Sequence, residues 1–224
     1  MRASTRTREK HNQPEITVDC VDAAFLAPGL QWLLQWIESE TANGRQYLPE
    51  QTVQIGWSIL EVRKRTDGTL ALFEPDFRSF PIQFVDSVSS TLLHLLLQKS
   101  VTESVGLERE LAFPRLWDSV ITCSEFGSTD GFIMSRVAPK GPDSGWFLGC
   151  DNATHEHQRP DTLRRISLYE AAVRHEERII PFLGLPHETF IRFGGPVPCL
   201  SRGETELVIR PGSYLHRKYV EKTV

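Results

Sequence analysis

The segment from Cys150 to His157 holds the side chains best suited to chemistry, with Cys123 upstream. In an extended chain, His155 and His157 project from one face. With Cys123 and Cys150 they form a Cys/His set of the type that binds zinc. The spacing matches no common zinc pattern, however, and Glu156, Gln158 and Arg159 surround the histidines with polar groups. The reading is a solvated loop with exposed imidazoles, no metal and no cofactor. A metal-dependent hydrolase built on Cys150, His155 and His157 is the alternative.

Other catalytic patterns are weaker. Asp143-Ser144-Gly145-Trp146 resembles half of a nucleophile elbow, but Pro142 stands where the leading glycine is required. A β-turn ahead of a strand explains these residues better. A cysteine nucleophile at Cys150 needs an oriented histidine base, and nothing in the sequence orients His155. The glycines between Gly127 and Gly149 are dispersed, so no phosphate-binding loop can be drawn. Arg159, Arg164, Arg165, Arg174 and Arg178 alternate with glutamates and lack interleaved aromatics, which argues against nucleic acid. No catalytic residues are assigned.

These segments must be positioned by a chain of 224 residues, long enough for one large domain or two small ones. Its 25 Lys plus Arg against 29 Asp plus Glu give a net charge of −4, without the basic footprint of a nucleic-acid binder. Cys20, Cys123, Cys150 and Cys199 are scattered and read as reduced, mostly buried thiols. The run Ala23 to Ile37 is too short and polar to span a bilayer, and residues 1–15 are a polar tail without a signal-peptide core. Cytoplasmic localisation without membrane contact is expected.

Periodicity supplies the elements. Leu30, Leu33, Leu34 and Ile37 form a helical stripe after Pro28-Gly29, stopped by Asn43-Gly44. Thr52 to Arg65 reads as one long strand with a bulge near Ile59-Leu60, followed by an Asp67-Gly68 hairpin into Thr69 to Phe73. A second helix spans Asp86 to Lys99, capped by Ser87. Further on, Val120 to Cys123 and Phe132 to Val137 read as paired strands and Trp146 to Cys150 as a third. Ser167-Leu-Tyr-Glu170 is a capping box, and Thr189 to Phe193 and Glu206 to Ile209 are closing strands. Trp32, Trp36 and Trp57 are expected in the core, Trp117 and Trp146 half-exposed beside turns. The fold class is α+β, with mainly antiparallel sheets, a few packed helices and two subdomains. The divisions expected are a flexible tail at 1–15, an N-terminal subdomain at 16–112 and a C-terminal subdomain at 113–224.

The C-terminal half carries a family resemblance. Asp130-Gly-Phe-Ile-Met-Ser-Arg136, then Asp143-Ser-Gly-Trp-Phe147, then Ser167-Leu-Tyr-Glu170 and Ile180-Pro-Phe-Leu183 resemble the Imm33 (DUF2185-like) immunity domain over roughly 119–195. Residues 16–112 are more loosely similar to the region preceding that domain in longer members. The resemblance implies an immunity protein that neutralises a cognate bacterial toxin by direct stoichiometric binding, with the toxin encoded nearby and no catalysis. A non-catalytic adaptor is a further alternative. Partner contact is expected at the turn and the loop, through Asp143, Ser144, Trp146, Asp151, His155 and His157. Charge reversal at Asp143 and Asp151 would then slow association. No exposed heptad or apolar stripe argues for an oligomer.

Overall fold

The computed structural model describes residues 1–6, 13–21, 23–128, 130–157 and 159–221; residues 7–12 of the expected tail, Thr129 and Gln158 lie outside them. The fold is α+β, in two compact units, 1–96 and 97–224, each with a mixed and mainly antiparallel sheet. The units divide at Leu96/Leu97, within a helix, rather than at the lapse of periodicity around 112. That lapse marks coil belonging to the second unit: the Ala112 amide donates to the Gly184 carbonyl at 3.0 Å.

In the first unit, strands β1 (Arg2–Ser4), β2 (Ile16–Asp19), β3 (Thr52–Ile55), β4 (Ser58–Lys64) and β5 (Leu70–Pro75) run in the order β1-β2-β5-β4-β3. Strand β6 (Phe84–Val85) pairs with β5 off this path. Residues 2–4, expected in a flexible tail, are therefore a strand, and Arg2 also meets Asp19 at 2.7 Å. Helix α1 (Ala27–Ala42) takes Pro28 in its first turn, where a missing N–H leaves no bond unmade, and buries Leu30, Leu33 and Ile37. Trp32 is 44% exposed, against expectation. Two residues beyond Leu30 is about 200° around a helix, so Trp32 stands on the far side from the leucine stripe.

The single strand expected over Thr52 to Arg65 is a hairpin. Gly56, at φ +59°, turns the chain so that Ile55 pairs with Ser58. A glycine takes this left-handed conformation without a Cβ clash. The shift in apolar alternation that suggested a bulge is thus a change of strand. At the hairpin tip Trp57 is fully buried against Phe77 and His94. Helix α2 (Ser89–Ser104) starts with Ser87 Oγ accepting from the Ser89 amide at 3.0 Å, as expected of a cap. The buried carboxylate of Glu74 completes that cap, accepting from the Ser90 and Thr91 amides at 3.0 and 2.6 Å.

The second unit holds β7 (Ser119–Cys123), β8 (Phe132–Arg136), β9 (Asp143–Cys150), β10 (Leu163–Ser167), β11 (Thr189–Phe193), β12 (Cys199–Arg202) and β13 (Thr205–Glu206). Their order is β10-β7-β9-β8-β11-β12-β13. Strands β7 and β8 do not pair as expected; β9 lies between them, parallel to β7 and antiparallel to β8. Strand β10, unread in the sequence, is an edge strand with Arg164 and Arg165 exposed, so its alternation is blunted. Ser167 Oγ accepts from the Glu170 amide at 3.0 Å, an N-cap of the kind that contributes about 1 kcal/mol. The closing strand expected at Glu206 to Ile209 is instead the β12–β13 hairpin. Phe132, Met134, Trp146, Leu148 and Ile191 face a buried core on one side of this sheet. No helix among the described residues is long and apolar enough to cross a membrane.

Candidate functional site

Strand β8 delivers Arg136 into the interior, 4% exposed. Its Nη1 donates to the carbonyls of Ala112 at 2.6 Å, Leu183 at 3.4 Å and Leu185, and its Nε to that of Ser144 at 3.3 Å. The guanidinium also lies over the Trp146 ring, 5.3 Å from its centroid. Burial pulls its pKa down to about 10, which leaves it charged at neutral pH. Three separate motifs are thereby tied to one side chain: the end of Asp130 to Arg136, the Asp-Ser-Gly-Trp turn, and the segment around Leu183.

That arrangement corrects part of the expected contact surface. Ser144 and Trp146 are each 1% exposed and cannot meet a partner through their side chains. They lie within β9: Ser144 Oγ donates to the Ser119 carbonyl at 2.8 Å and accepts from the Trp146 amide at 3.2 Å. Between them Gly145 sits at φ +76°, where a Cβ would come within 2.1 Å of the Val137 carbonyl oxygen. Asp143 is engaged as well, with Oδ2 at 2.6 Å from Arg165 Nη1 and Oδ1 accepting from the Gly145 amide at 2.8 Å. Asp151 accepts from Arg192 Nε at 2.8 Å. Neither carboxylate is a free negative charge for steering a partner, and reversing either one would break a local pair as well.

The loop after β9 does not present exposed imidazoles. In the parallel β7–β9 pair Thr122 opposes Leu148, so Cys123 reaches the strand end opposite Gly149, one position short of Cys150. The Cys150 amide donates to Cys123 Sγ at 3.2 Å. Asn152 then reverses the loop, its Oδ1 accepting from the Thr154 amide at 3.0 Å and its carbonyl from the His155 amide at 3.1 Å. His155 Nδ1 comes to 3.5 Å and His157 Nε2 to 3.4 Å from Cys150 Sγ. The two rings stack 4.9 Å apart, and ligand atoms of Cys123, Cys150, His155 and His157 all lie within 4.8 Å of one another. A Cβ on Gly149 would sit 3.2 Å from His157 Nε2, so the missing side chain makes room for that ring.

Glu125, which sequence reasoning missed, completes the cluster's rim. Its Oε2 is 3.1 Å from His155 Nδ1 and 3.3 Å from Asn152 Nδ2. The bond to His155 is the first cause holding this carboxyl below its ordinary pKa. Cys150 and Glu125 thus approach the same imidazole nitrogen. A nucleophile–base–acid relay requires opposite nitrogens, so these three do not form one. Burial also pushes the Cys150 thiol up to about 11, which keeps it protonated and poorly nucleophilic at neutral pH.

The sheet's other face is open and apolar at its centre. Arg165 opposes Ile121, Ile121 opposes Phe147, Phe147 opposes Ser135, and Ser135 opposes Phe190, a row across β10-β7-β9-β8-β11. Four inter-strand steps of about 4.8 Å make it about 19 Å wide. Phe190 is 38% exposed and neighbouring Val137 68%. A groove of about 700 Å³ runs along it between Val137, Pro142, Phe147 and Arg165. His157 packs edge-on against Phe147 at 5.7 Å, so the Cys/His cluster borders this face.

No curated protein and no solved structure matches the chain. The Arg136 hub, the open sheet face and the Cys/His cluster all fall within residues 97–196, the segment that matches the family model of the Imm33-like domain.

Proposed function

We propose that this protein is an immunity protein that neutralises a cognate bacterial toxin by binding it stoichiometrically, without catalysis. The match of residues 97–196 to the Imm33-like domain carries the reading. The contact surface it favours is the open face of the second sheet, with exposed Phe190, half-buried Phe147 and a rim of paired charges at Asp143–Arg165 and Asp151–Arg192. An apolar centre inside a polar rim is the usual anatomy of a specific interface, and occlusion of a toxin needs about 1,200–2,000 Å² of buried surface. Thr154 and Glu156 are exposed in the loop that follows Asp151.

Two tests follow from this reading. Co-expression with the product of the adjacent toxin gene should relieve growth arrest and yield a one-to-one complex on size-exclusion chromatography. Failure of every neighbouring gene product to bind would overturn the immunity reading itself. With the complex in hand, Phe147→Ala and Phe190→Ala should each weaken binding by roughly 30-fold, about 2 kcal/mol for an anchor residue, while the urea midpoint barely moves. Unchanged titration calorimetry in both variants would remove the sheet face as the contact surface and leave the function standing.

A further inference from the structure

We infer that Cys123, Cys150, His155 and His157 bind one zinc ion in a closed tetrahedral site. Ideal zinc–sulfur and zinc–nitrogen bonds of about 2.3 and 2.05 Å at tetrahedral angles put sulfur and nitrogen about 3.6 Å apart. The two sulfur–nitrogen edges at Cys150 measure 3.5 and 3.4 Å. The whole set fits within the same small compass, no pair exceeding 4.8 Å. Adjacent parallel strands supply the cysteines and one returning loop supplies the histidines, so no backbone rearrangement is needed to gather them.

Hydrogen bonding alone does not account for this packing. His155 Nδ1 is crowded by both Cys150 Sγ, at 3.5 Å, and Glu125 Oε2, at 3.1 Å. Two thiols and two imidazoles brought together away from water make poor partners for one another, and a metal bond to each ring and each sulfur resolves that. The donor set selects the ion. Two thiolates with two imidazoles in a tetrahedron suit zinc, whereas calcium and magnesium demand oxygen ligands. On binding, the two thiols become thiolates and release their protons to solvent.

Four protein ligands fill the coordination sphere, leaving no position for an activated water, so the ion is structural and not hydrolytic. Its role is to clamp residues 150–157 to the ends of β7 and β9. Glu125 Oε2 lies 3.1 Å from His155 Nδ1, so it gives up that nitrogen to the ion when zinc binds.

The test uses the full chain, purified reducing, without a polyhistidine tag or chelator. Metal analysis should return about one zinc per chain. Cobalt(II) added to the chelator-stripped protein should give the intense visible bands of a tetrahedral ion and a thiolate-to-cobalt charge-transfer band. The Cys123→Ser/Cys150→Ser double variant should lose both signals. Should that variant fail to fold, limited proteolysis of wild type replaces it: chelation should expose cleavage in 151–159 and zinc should reverse it. Absence of zinc together with no tetrahedral cobalt spectrum in the wild type would overturn the site, as would unchanged zinc stoichiometry in a folded double variant.

Discussion

Arg136→Ala is expected to lower the unfolding free energy by about 3–5 kcal/mol, the range for removing one partner of a buried charged network. The variant strips donors from the carbonyls of Ala112, Leu183, Leu185 and Ser144. Each carbonyl left buried without a donor costs about 1–3 kcal/mol, and they are not independent because one cavity would admit water to several. Arg136→Lys should recover only part, a loss of roughly 2 kcal/mol, since an ammonium has three donors for four carbonyls and no planar face to lie on Trp146. Urea unfolding at pH 7, followed by tryptophan fluorescence, measures both. A loss under about 0.5 kcal/mol for the alanine variant would mean that the hub does not hold the three segments together.

The hub also shows how far a sequence can be read. The motifs from Asp130 to Arg136, Asp143 to Trp146 and Ile180 to Leu183 were visible as strings, and local signals placed strands at Phe132 and Thr189 and a cap at Ser167. What the strings could not show was that an arginine would be buried, because a charged side chain in an isolated strand reads as solvent-facing. Burial depends on carbonyls contributed from residues 112, 183 and 185, far apart in sequence. The same limit explains Trp146, which looked half-exposed beside a turn until β9 proved to be the centre of the β7–β9–β8 group.

For the Cys/His set the missing information was topological. Spacing from Cys150 to His157 fits no common zinc pattern because Cys123 enters through a parallel neighbour and not through a hairpin knuckle. The polar residues Glu156 and Arg159 do lie in solvent, as their types suggested, yet the alternate positions His155 and His157 turn inward. Gly149 was the available signal: a strand glycine beside a cysteine marks a place where another group approaches closely.

In the first unit, the protein is expected to lose about 2 kcal/mol of stability between pH 7 and pH 5 through His94 alone. Burial pulls the folded pKa of His94 down to about 4 from an ordinary 6.5. Trp57 reinforces the neutral form, because its Nε1–H donates to His94 Nδ1 at 3.3 Å and so requires a lone pair there. The unfolded chain therefore binds the proton first as pH falls. Stability is unaffected above about pH 7, declines through 6.5, and reaches its full loss of about 3 kcal/mol below pH 4. His157 and His175 are shifted in the same direction by burial, so the slope of wild type alone does not isolate His94. The comparison with His94→Gln does, since the other histidines are common to both proteins and an amide can still accept from Trp57. Carboxylates held below their ordinary pKa, such as Asp19 hydrogen-bonded to Arg2, lose their contribution only at more acid pH, outside this window. Urea midpoints of the two proteins at pH 7, 6 and 5 should converge by about 2 kcal/mol. A difference that stays constant across those three values would show that His94 titrates as it does in the unfolded chain, and that the Trp57–His94–Phe77 cluster admits water.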